Sequence, residues 1–580
     1  MSSRTICASS CGRILAEVDP LERGQAALRE GDLRTAAQRL TEAGAQDAAD
    51  PARRAELASA FFSLAHALRS GGARDAAVAA FDQAARFAPD NAQAWFALGN
   101  ACMEAEQHHV DRAAKGSDGG RSYDPLTGAV IAFARAHALA PDDPGIVAHR
   151  AMAARYACLW PEAAEVVKAL AGLAARTPSG FACEPMSAVA LLDDPNVQRN
   201  AIEGWSRANL AAPAAPAIVR SRGTRLRVGY LSSDLHDHAT ARLAAGLFEL
   251  HDRARFEVFA YATDRDDGSA MRARLRAAFE HWRDVRELSD DDAASRIASD
   301  SIDVLVDLKG HTSGSRLAIL ARRPAPVQLH YLGFPGTLGY GAIDGFVADA
   351  IVAPPGSEAE FAERVLRLPV CYQVNDNRRE LPPIQARSDA GLPERGLVLA
   401  CFNQAYKITE RVASVWMDAL REHQDAVLWL AVPHALARRN LAAFAVRNGV
   451  AADRLVFAPT VPQAAHLARL RCADLALDVL PYGSHTTGSD ALFAGVPLLT
   501  CRGSTFAGRV GASLCAAVEL PELVTGSLAD YAALLRQLCA DRSRLAHYRD
   551  HLDRGRGRLP LFHTERFTRE FERVLEGAAR

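Results

Sequence analysis

Between Leu480 and Leu492 the chain reads LPYGSHTTGSDAL. An apolar strand runs into a His-Thr-Thr-Gly turn, His485 to Gly488. That turn opens a helix with Asp490 close behind. Helix starts expose N–H groups that lack intrahelical partners, together with a partial positive charge, so the turn suits a phosphate. Thr486 and Thr487 add hydroxyl donors, and Asp490 can accept from ribose hydroxyls. The group reads as a cradle for a nucleoside diphosphate. It is not a P-loop, because no Gly-Lys-Ser/Thr follows. An ordinary helix start with a capping acid has the same composition, so the rest of the chain must decide.

The strands around this turn are legible from short apolar runs. Leu226–Tyr230, Phe256–Tyr261, Ile302–Leu308 and Val327–Leu332 form one set, and helical patterns separate the first three, one of them from Arg272 to Trp282. A second set begins near Leu397 with Val398–Phe402 and continues with Val427–Ala431, Leu455–Phe457, Leu475–Leu477 and Leu498–Cys501. Strands alternating with helices predict parallel sheets, here two α/β lobes with a cleft between them. Ligands of such sheets lie beyond the carboxyl ends of the strands. His238, Lys309, His311 and the Gly333–Gly339 loop fall there in the first lobe, and Asn403 to Lys407 in the second. His236 and His311 read as site-lining or solvated groups. Asp264-Arg265-Asp266 reads as a solvated turn, and Trp429-Leu430 as core. A last helix, about Glu565 to Ala578, reads as a packing element.

The first third is a helical repeat. Phe61, Leu64, Ala65, Leu68, Ala77, Phe81, Ala84 and Pro89 fall at the spacings of one tetratricopeptide unit, and Trp95, Leu98, Gly99 and Cys102 begin the next, 34 residues later. The second helix of that unit, with Ala129, Phe133, Ala136 and Pro141, arrives late. A polar, Gly-rich insertion of roughly 18 residues, near Gln107 to Asp124, accounts for the delay. Weaker units flank these two, one through Gly24, Ala27, Ala36, Leu40 and Ala43, another through Ala151, Ala154, Ala163, Val167 and Leu170. Stacked helix pairs of this kind offer a concave face for extended polypeptide. The predicted organisation is a repeat domain at 15–175, a linker at 176–224 centred on the Ala/Pro-rich 209–218, and lobes at 225–385 and 386–580.

The bulk properties exclude several classes. A chain of 580 residues is too long for one core. Its net charge of −2 gives no global basic field for nucleic acid. Eleven cysteines, of which Cys7 and Cys11 lie four apart, show neither zinc-finger nor thioredoxin spacing. They read as reduced thiols, which places the protein in a cytoplasm. The first twenty residues lack a long apolar core, and no stretch has the length a membrane helix needs. No cluster at ligand spacing suggests a metal.

Seven blocks, in order, resemble the O-GlcNAc transferases, the protein glycosyltransferases that include the plant Spindly type. They are RVGYLSSDLHDHATARL, RPAPVQLHYLGFPGTLG, CFNQAYKI, VLWL, APTVPQAAHLAR, LPYGSHTTGSDALFAGVPLLT and TFAGRVGAS. The resemblance covers about Arg225 to Val574 and the repeat prefix. It implies tetratricopeptide repeats followed by a two-lobed GT-B glycosyltransferase with two Rossmann-like lobes. It also implies inverting transfer of GlcNAc from UDP-GlcNAc, or a related UDP-sugar, to Ser or Thr of proteins, with no metal and no further cofactor. Carried over residue by residue, it places His238 at the sugar–acceptor junction and Gln404 and Lys407 near the diphosphate. Val461 and His466 fall beside the uracil, and His485, Thr486, Thr487 and Asp490 on the phosphates and ribose. Leu332, Gly333 and the Pro335-Gly336-Thr337 turn fall beside the sugar. Two residues depart from the animal pattern: Gln463 stands for a lysine near the uracil, and Tyr482 for a smaller residue near the sugar.

The chemistry can be argued without the resemblance. Breaking a sugar–phosphate bond develops charge on the leaving diphosphate, and without a metal fixed donors must meet it. Lys407 is a strong point charge for this. The attacking hydroxyl needs a proton acceptor, for which His238 is the best-placed titratable group. Two other readings share the cleft. One is a cytoplasmic UDP-glucose-dependent protein (Asn) glucosyltransferase, against which the repeat prefix speaks. The other is a repeat scaffold with an inactive nucleotide-binding lobe, against which the intact Lys407, His238 and HTTG set speaks.

Overall fold

The computed structural model describes residues 19–47, 49–114, 123–177, 180–212, 214 and 223–580. Cys7 and Cys11 lie outside them, as do parts of the predicted insertion and linker. The chain divides into two compact units. One holds the described residues up to His108 with Ile131–Ala140; the other holds His109–Val130 and Pro141–Arg580.

The first unit is helical. It contains α1 (Pro20–Glu30), α2 (Leu33–Asp47), α3 (Pro51–Ser70), α4 (Arg74–Phe87), most of α5 (Ala92–Ala114) and the end of α6 (Pro125–Leu139). The helix starts are written locally. Asp19 and Asp50 accept from the Leu21 and Ala52 amides, with Pro20 and Pro51 at the first helical position. Successive helices pack side by side, α1 on α2, α2 on α3 and α3 on α4. Their shared core is mostly small: Ala36, Ala43, Ala77 and Ala84, with Leu40, Leu64, Phe61 and Phe81 filling between. The predicted insertion is partly helical, since α5 continues through Ala114 before the next helix begins at Pro125.

The second unit opens with one more repeat-like pair, α7 (Pro144–Tyr156) and α8 (Trp160–Arg176). The sequence reading grouped this pair with the other repeats, yet its side chains are part of the α/β core. The buried Trp160 indole donates to the Ile408 carbonyl at 2.9 Å and meets Phe444 edge-on at 4.7 Å. Asn440 donates to Ala157 O, and Tyr156 packs on Tyr406. The predicted linker also differs. It carries α9 (Pro185–Leu191) and α10 (Pro195–Asn209), whose Ser206 hydroxyl donates to Leu338 O. A linker was expected because the Ala/Pro run near 209–218 dominates the composition; the capped starts at Glu184-Pro185 and Asp194-Pro195 were the overlooked signal.

Two parallel sheets follow. The first lobe runs β1 (Leu226–Ser232), α11 (Ala239–Leu250), β2 (Phe256–Ala262), α12 (Ala270–Ala278), β3 (His281–Asp284), α13 (Asp290–Ser299), β4 (Val304–Asp307), α14 (Leu317–Ala321), β5 (Val327–His330), β6 (Gly345–Asp349) and β7 (Arg364–Leu368). The second runs β8 (Leu397–Cys401), α15 (Glu410–Glu422), β9 (Ala426–Leu430), α16 (Ala435–Arg447), β10 (Leu455–Phe457), α17 (Gln463–Leu470), β11 (Leu475–Leu477), α18 (Thr486–Phe493), β12 (Leu498–Cys501), α19 (Phe506–Ala517), β13 (Val524–Thr525), α20 (Leu528–Ala540), α21 (Arg542–Gly555) and α22 (Thr564–Ala579). The strand orders are β3-β2-β1-β4-β5-β6-β7 and β10-β9-β8-β11-β12-β13. Both sheets therefore grow outward from their first strand and reverse direction between that strand and the fourth, β1 beside β4 and β8 beside β11. Val228, for example, sits between Val258 and Val304. These sheets confirm the predicted fold class, helical repeats followed by two Rossmann-like lobes. The reading missed β3, which begins where the helical pattern from Arg272 was thought to run on, and also β6, β7 and the two-residue β13. β3 is a polar edge strand and carries no apolar run to announce it.

The last helix does not stay with the second lobe. α22 packs on α11, β4 and β7 of the first. Phe571 lies 4.8 Å from Tyr331, and the buried Glu572 accepts from the Asp252 amide and meets the His251 ring at 3.2 Å.

Candidate active site

The residues expected to do chemistry leave the four strands that flank the two reversals. In such sheets the loops on either side of the reversal part and leave a crevice. Asp234 and His238 follow β1, Lys309 follows β4, Asn403 and Lys407 follow β8, and Asp478 to Thr487 follow β11.

In the second lobe the HTTG turn opens α18, as the sequence predicts. His485 is its N-cap residue, and its carbonyl accepts from the Gly488 and Ser489 amides. The amides of Thr486 and Thr487 remain without intrahelical partners, as at any helix start. The Thr486 hydroxyl makes no hydrogen bond among the described residues, whereas Thr487 donates to Asn403 Oδ1 at 3.1 Å. Asn403 in turn donates to Ser484 Oγ at 2.8 Å. Ser484 is held by the buried Asp478, which accepts from both its amide and its hydroxyl at 2.6 and 2.7 Å. Asp478 also takes the Thr500 hydroxyl at 2.6 Å. Only glycine fits at Gly511 behind it, because a Cβ there would come within 2.2 Å of the carboxylate. The loop after β8 and the start of α18 are thus locked together through Asn403, Ser484 and Asp478. The sequence reading did not single out these three; their place directly after β8 and β11 was the available signal.

Lys407 sits in a short 3₁₀ turn, 405–407, with its ammonium 3.7 Å from the centre of the Tyr482 ring and donating to Gly483 O at 3.2 Å. Among the described residues no acid contacts it directly. Burial pushes its pKa down to about 8, with Asp478 pulling the other way. His485 lies beside the same ring, 5.3 Å away, and burial followed by the nearby lysine charge brings it down to about 3. Tyr482, the bulky departure noted in the sequence, therefore forms the platform on which the lysine rests. Gln404 is exposed and Val461 half-buried. His466 packs on Phe402, receives Arg469 Nη2 at 3.2 Å, and is lowered by burial to about 4. Asp490 is not a free acceptor. It is buried, pairs with Arg379 at 2.6 Å and takes the Gln463 amide at 2.9 Å, while Gln463 accepts from Arg242 of the first lobe.

In the first lobe, His238 caps α11. Its Nδ1 faces the Thr240 amide at 3.2 Å and Asp234 Oδ2 at 3.3 Å. Burial lowers its pKa, Asp234 raises it, and Lys309 and His236 lower it again. Lys309 is buried and held by both Asp234 oxygens at 2.8 Å, so it supports His238 from behind. Three expectations are corrected here. Asp264 is buried, not solvated; it accepts from Arg272 at 2.6 Å and pairs with His236 at 3.0 Å, and only Arg265 and Asp266 of that turn are exposed. The Asp264 bond is the first cause of the raised pKa of His236. His311 is buried between Trp205 and Phe334 with Nε2 on Leu338 O at 2.7 Å, so it neither lines the site nor meets solvent. The glycine-rich loop is only partly open. Leu332, at φ +73°, and Gly333 keep some exposure, but Pro335, Gly336 and Thr337 are buried. Gly333 has no space for a side chain, since a Cβ would lie 2.2 Å from Leu308 O. Thr337 donates to Glu363, whose other oxygen takes the Leu338 and Gly339 amides. Trp429 and Leu430 are core, as predicted.

Two parallel lobes, each with its reversal at the crevice, form a GT-B-like architecture. The pattern that describes glycosyl transferase family 41 matches residues 211–389 and 379–571, and the chain belongs to that family. It is 37% identical over 369 residues to the probable UDP-N-acetylglucosamine–peptide N-acetylglucosaminyltransferase SEC of Arabidopsis thaliana, covering 62% of this chain and 38% of that one. It is 29% identical to the SPINDLY protein of Petunia hybrida, covering 60% of this chain and 38% of that one. The chain thus matches well under half the length of these curated relatives. Among solved structures, a lysine-to-methionine mutant of the O-GlcNAc transferase of Thermobaculum terrenum superimposes with a TM-score of 0.67 at 27% identity, over 97% of both chains.

Proposed function

We propose that this chain transfers GlcNAc from UDP-GlcNAc to serine or threonine hydroxyls of proteins, with inversion at the sugar carbon and without a metal. The observation that carries the reading is Lys407, an acid-free ammonium resting on Tyr482 beside the open start of α18. Such a group can meet the charge that develops on a departing diphosphate. In the reaction the acceptor oxygen forms the bond to the sugar carbon as the bond to the β-phosphate oxygen breaks, and the electron pair leaves with UDP. The hydroxyl proton goes to His238 when its Nδ1–H points to Asp234 and Nε2 is free. In the other tautomer Nδ1 accepts from Thr240 and the proton leaves with the phosphate. His466 and Val461 flank the base in this reading, Gln404 and Thr486 reach the diphosphate, and Leu332 and Gly333 border the sugar. The repeats hold the polypeptide acceptor, and the setting is a cytoplasm. No helix among the described residues is long and apolar enough to cross a membrane.

The test is a donor panel of radiolabelled UDP-GlcNAc, UDP-Glc and GDP-fucose with purified chain and protein acceptors, followed by mass spectrometry of the modified side chain. GlcNAc on Ser or Thr supports the reading. Glucose on Asn would replace it with the glucosyltransferase, and nucleotide binding without turnover would leave a scaffold. Excess EDTA should not change the rate; loss restored by manganese or magnesium would overturn the metal-free chemistry.

A further inference from the structure

Beyond the crevice, a cavity of about 560 Å³ lies between α8, the loop after α9 and the second lobe's strand ends. Three arginines reach it: Arg155 from α7, Arg411 from the first turn of α15 and Arg502 after β12. None of the three side chains makes a hydrogen bond or ion pair among the described residues. Arg155 Nη1 is buried with no acceptor at all. Burial of that kind lowers the pKa of its guanidinium. A buried donor without an acceptor is costly, and an anion brought into the cavity would relieve it. Arg509, by contrast, is held by Glu360, while Arg150 pairs with Glu162 through Nη2 and its buried Nε makes no hydrogen bond among the described residues. Arg411 stands in the first turn of α15 beside Glu410, where a cation gains nothing from the helix dipole. The acids on the lining are Glu410, which pairs with none of the three, and Asp193, which takes the Ser504 hydroxyl.

The cavity continues into an apolar groove. A second hollow of about 370 Å³ shares Val167, Leu191 and Asp193 with it and is walled by Ala171, Phe181 and Val197. The two adjoin at those shared residues as a trough, basic in the first hollow and mainly apolar in the second, whose further acid, Asp194, is taken up capping α10 through the Asn196 and Val197 amides. Its basic end lies on the chain directly after Lys407 (Thr409 to Val412) and directly before Tyr482 (Leu480 and Pro481).

We propose that this trough docks a segment of the acceptor polypeptide in which apolar residues are followed by acidic ones, the acid meeting Arg155, Arg411 and Arg502. The proposal rests on the reading of the chain as a protein-modifying transferase and names a feature of its substrates. Docking there would hold the acceptor beside the reacting groups and turn a bimolecular encounter into an oriented one.

The probes are two fluorescent synthetic peptides, identical except that the Asp and Glu of one are Asn and Gln in the other. Each carries an apolar stretch before the acids. Binding to the full chain is read by anisotropy, without donor, so the result does not depend on turnover. The expected result is roughly tenfold tighter binding of the acidic peptide, a preference that shrinks as salt screens it. The double variant Arg411→Glu, Arg502→Glu, both at exposed positions, should abolish the preference while UDP binding is unchanged, and Arg155→Gln should reduce it severalfold. Equal binding of the two peptides to the wild-type chain, or a preference that survives the double variant, overturns the proposal. So does a trough that takes inorganic phosphate but neither peptide. Absence of sugar transfer in the donor panel, with the peptide preference intact, would instead count against the proposed function alone.

Discussion

At the scale of residues, Lys407 is the sharpest test. Lys407→Ala should lower kcat by about a hundredfold or more, because one fixed charge on a leaving group supplies roughly 3 kcal/mol. Circular dichroism should show the fold intact, and near-normal turnover would remove Lys407 from the mechanism. Its pKa of about 8 also sets a pH dependence. The charged form persists below that value and is lost above it, so kcat/KM for the donor should fall on the alkaline side of about pH 8. Lys407→Arg should erase that limb. The sign for stability is opposite. Between about 8 and 10.5 the unfolded chain binds more protons at this site, so folding stability should gain as pH rises through that window. Which loops border the crevice is legible in the sequence, because position after a strand decides it. What each side chain does there was not. Asp490 and Thr337 read as ligand contacts yet are engaged by Arg379, Gln463 and Glu363, residues remote in sequence whose approach only the folded chain reveals.

At the scale of elements, the loop after β5 depends on one buried acid. Glu363 receives three donors from Thr337, Leu338 and Gly339, and burial, its first cause, raises its pKa. Glu363→Ala should cost roughly 3 kcal/mol of stability by orphaning the buried Leu338 amide and the Thr337 hydroxyl, whereas the Gly339 amide keeps Thr337 Oγ1 at 3.1 Å. It should also slow sugar transfer while leaving UDP affinity unchanged, since the groups proposed to hold the nucleotide lie on the other lobe. Thermal melts and isothermal titration with UDP check both halves; weaker UDP binding would mean the loop reaches the nucleotide. Long apolar strands such as β1, β2 and β9 announced themselves. β6 and β13 did not, because β6 opens on a glycine and closes on an acid and β13 is only two residues, so neither presents an uninterrupted apolar run.

At the scale of the whole molecule, the repeat-like pair α7–α8 is built into the catalytic unit. Trp160→Ala should destabilise that unit by roughly 3–5 kcal/mol, as for other buried tryptophans, and disturb the turn that carries Lys407 through the lost bond to Ile408. Deletion of residues 1–140 should leave a soluble, UDP-binding protein with reduced modification of protein acceptors. Deletion of 1–176, which removes Trp160 and Tyr156 from their sites, should aggregate. Gel filtration and UDP titration of the two truncations would reverse this picture if the longer deletion behaved as well as the shorter. The 34-residue period was visible from the sequence, but a period cannot tell which unit of an array has been absorbed by the domain beside it.

The return of α22 to the first lobe has a consequence for synthesis. Chains emerge from the ribosome from the N-terminus and domains generally fold in that order. Here the first lobe's α11, β4 and β7 pack against residues 564–579, and the buried His251 waits for Glu572. The earlier lobe must therefore stand incomplete while the whole of the later one is being made, with its apolar face open to chaperones. Nonsense mutations close to residue 564 would injure the lobe that was translated first.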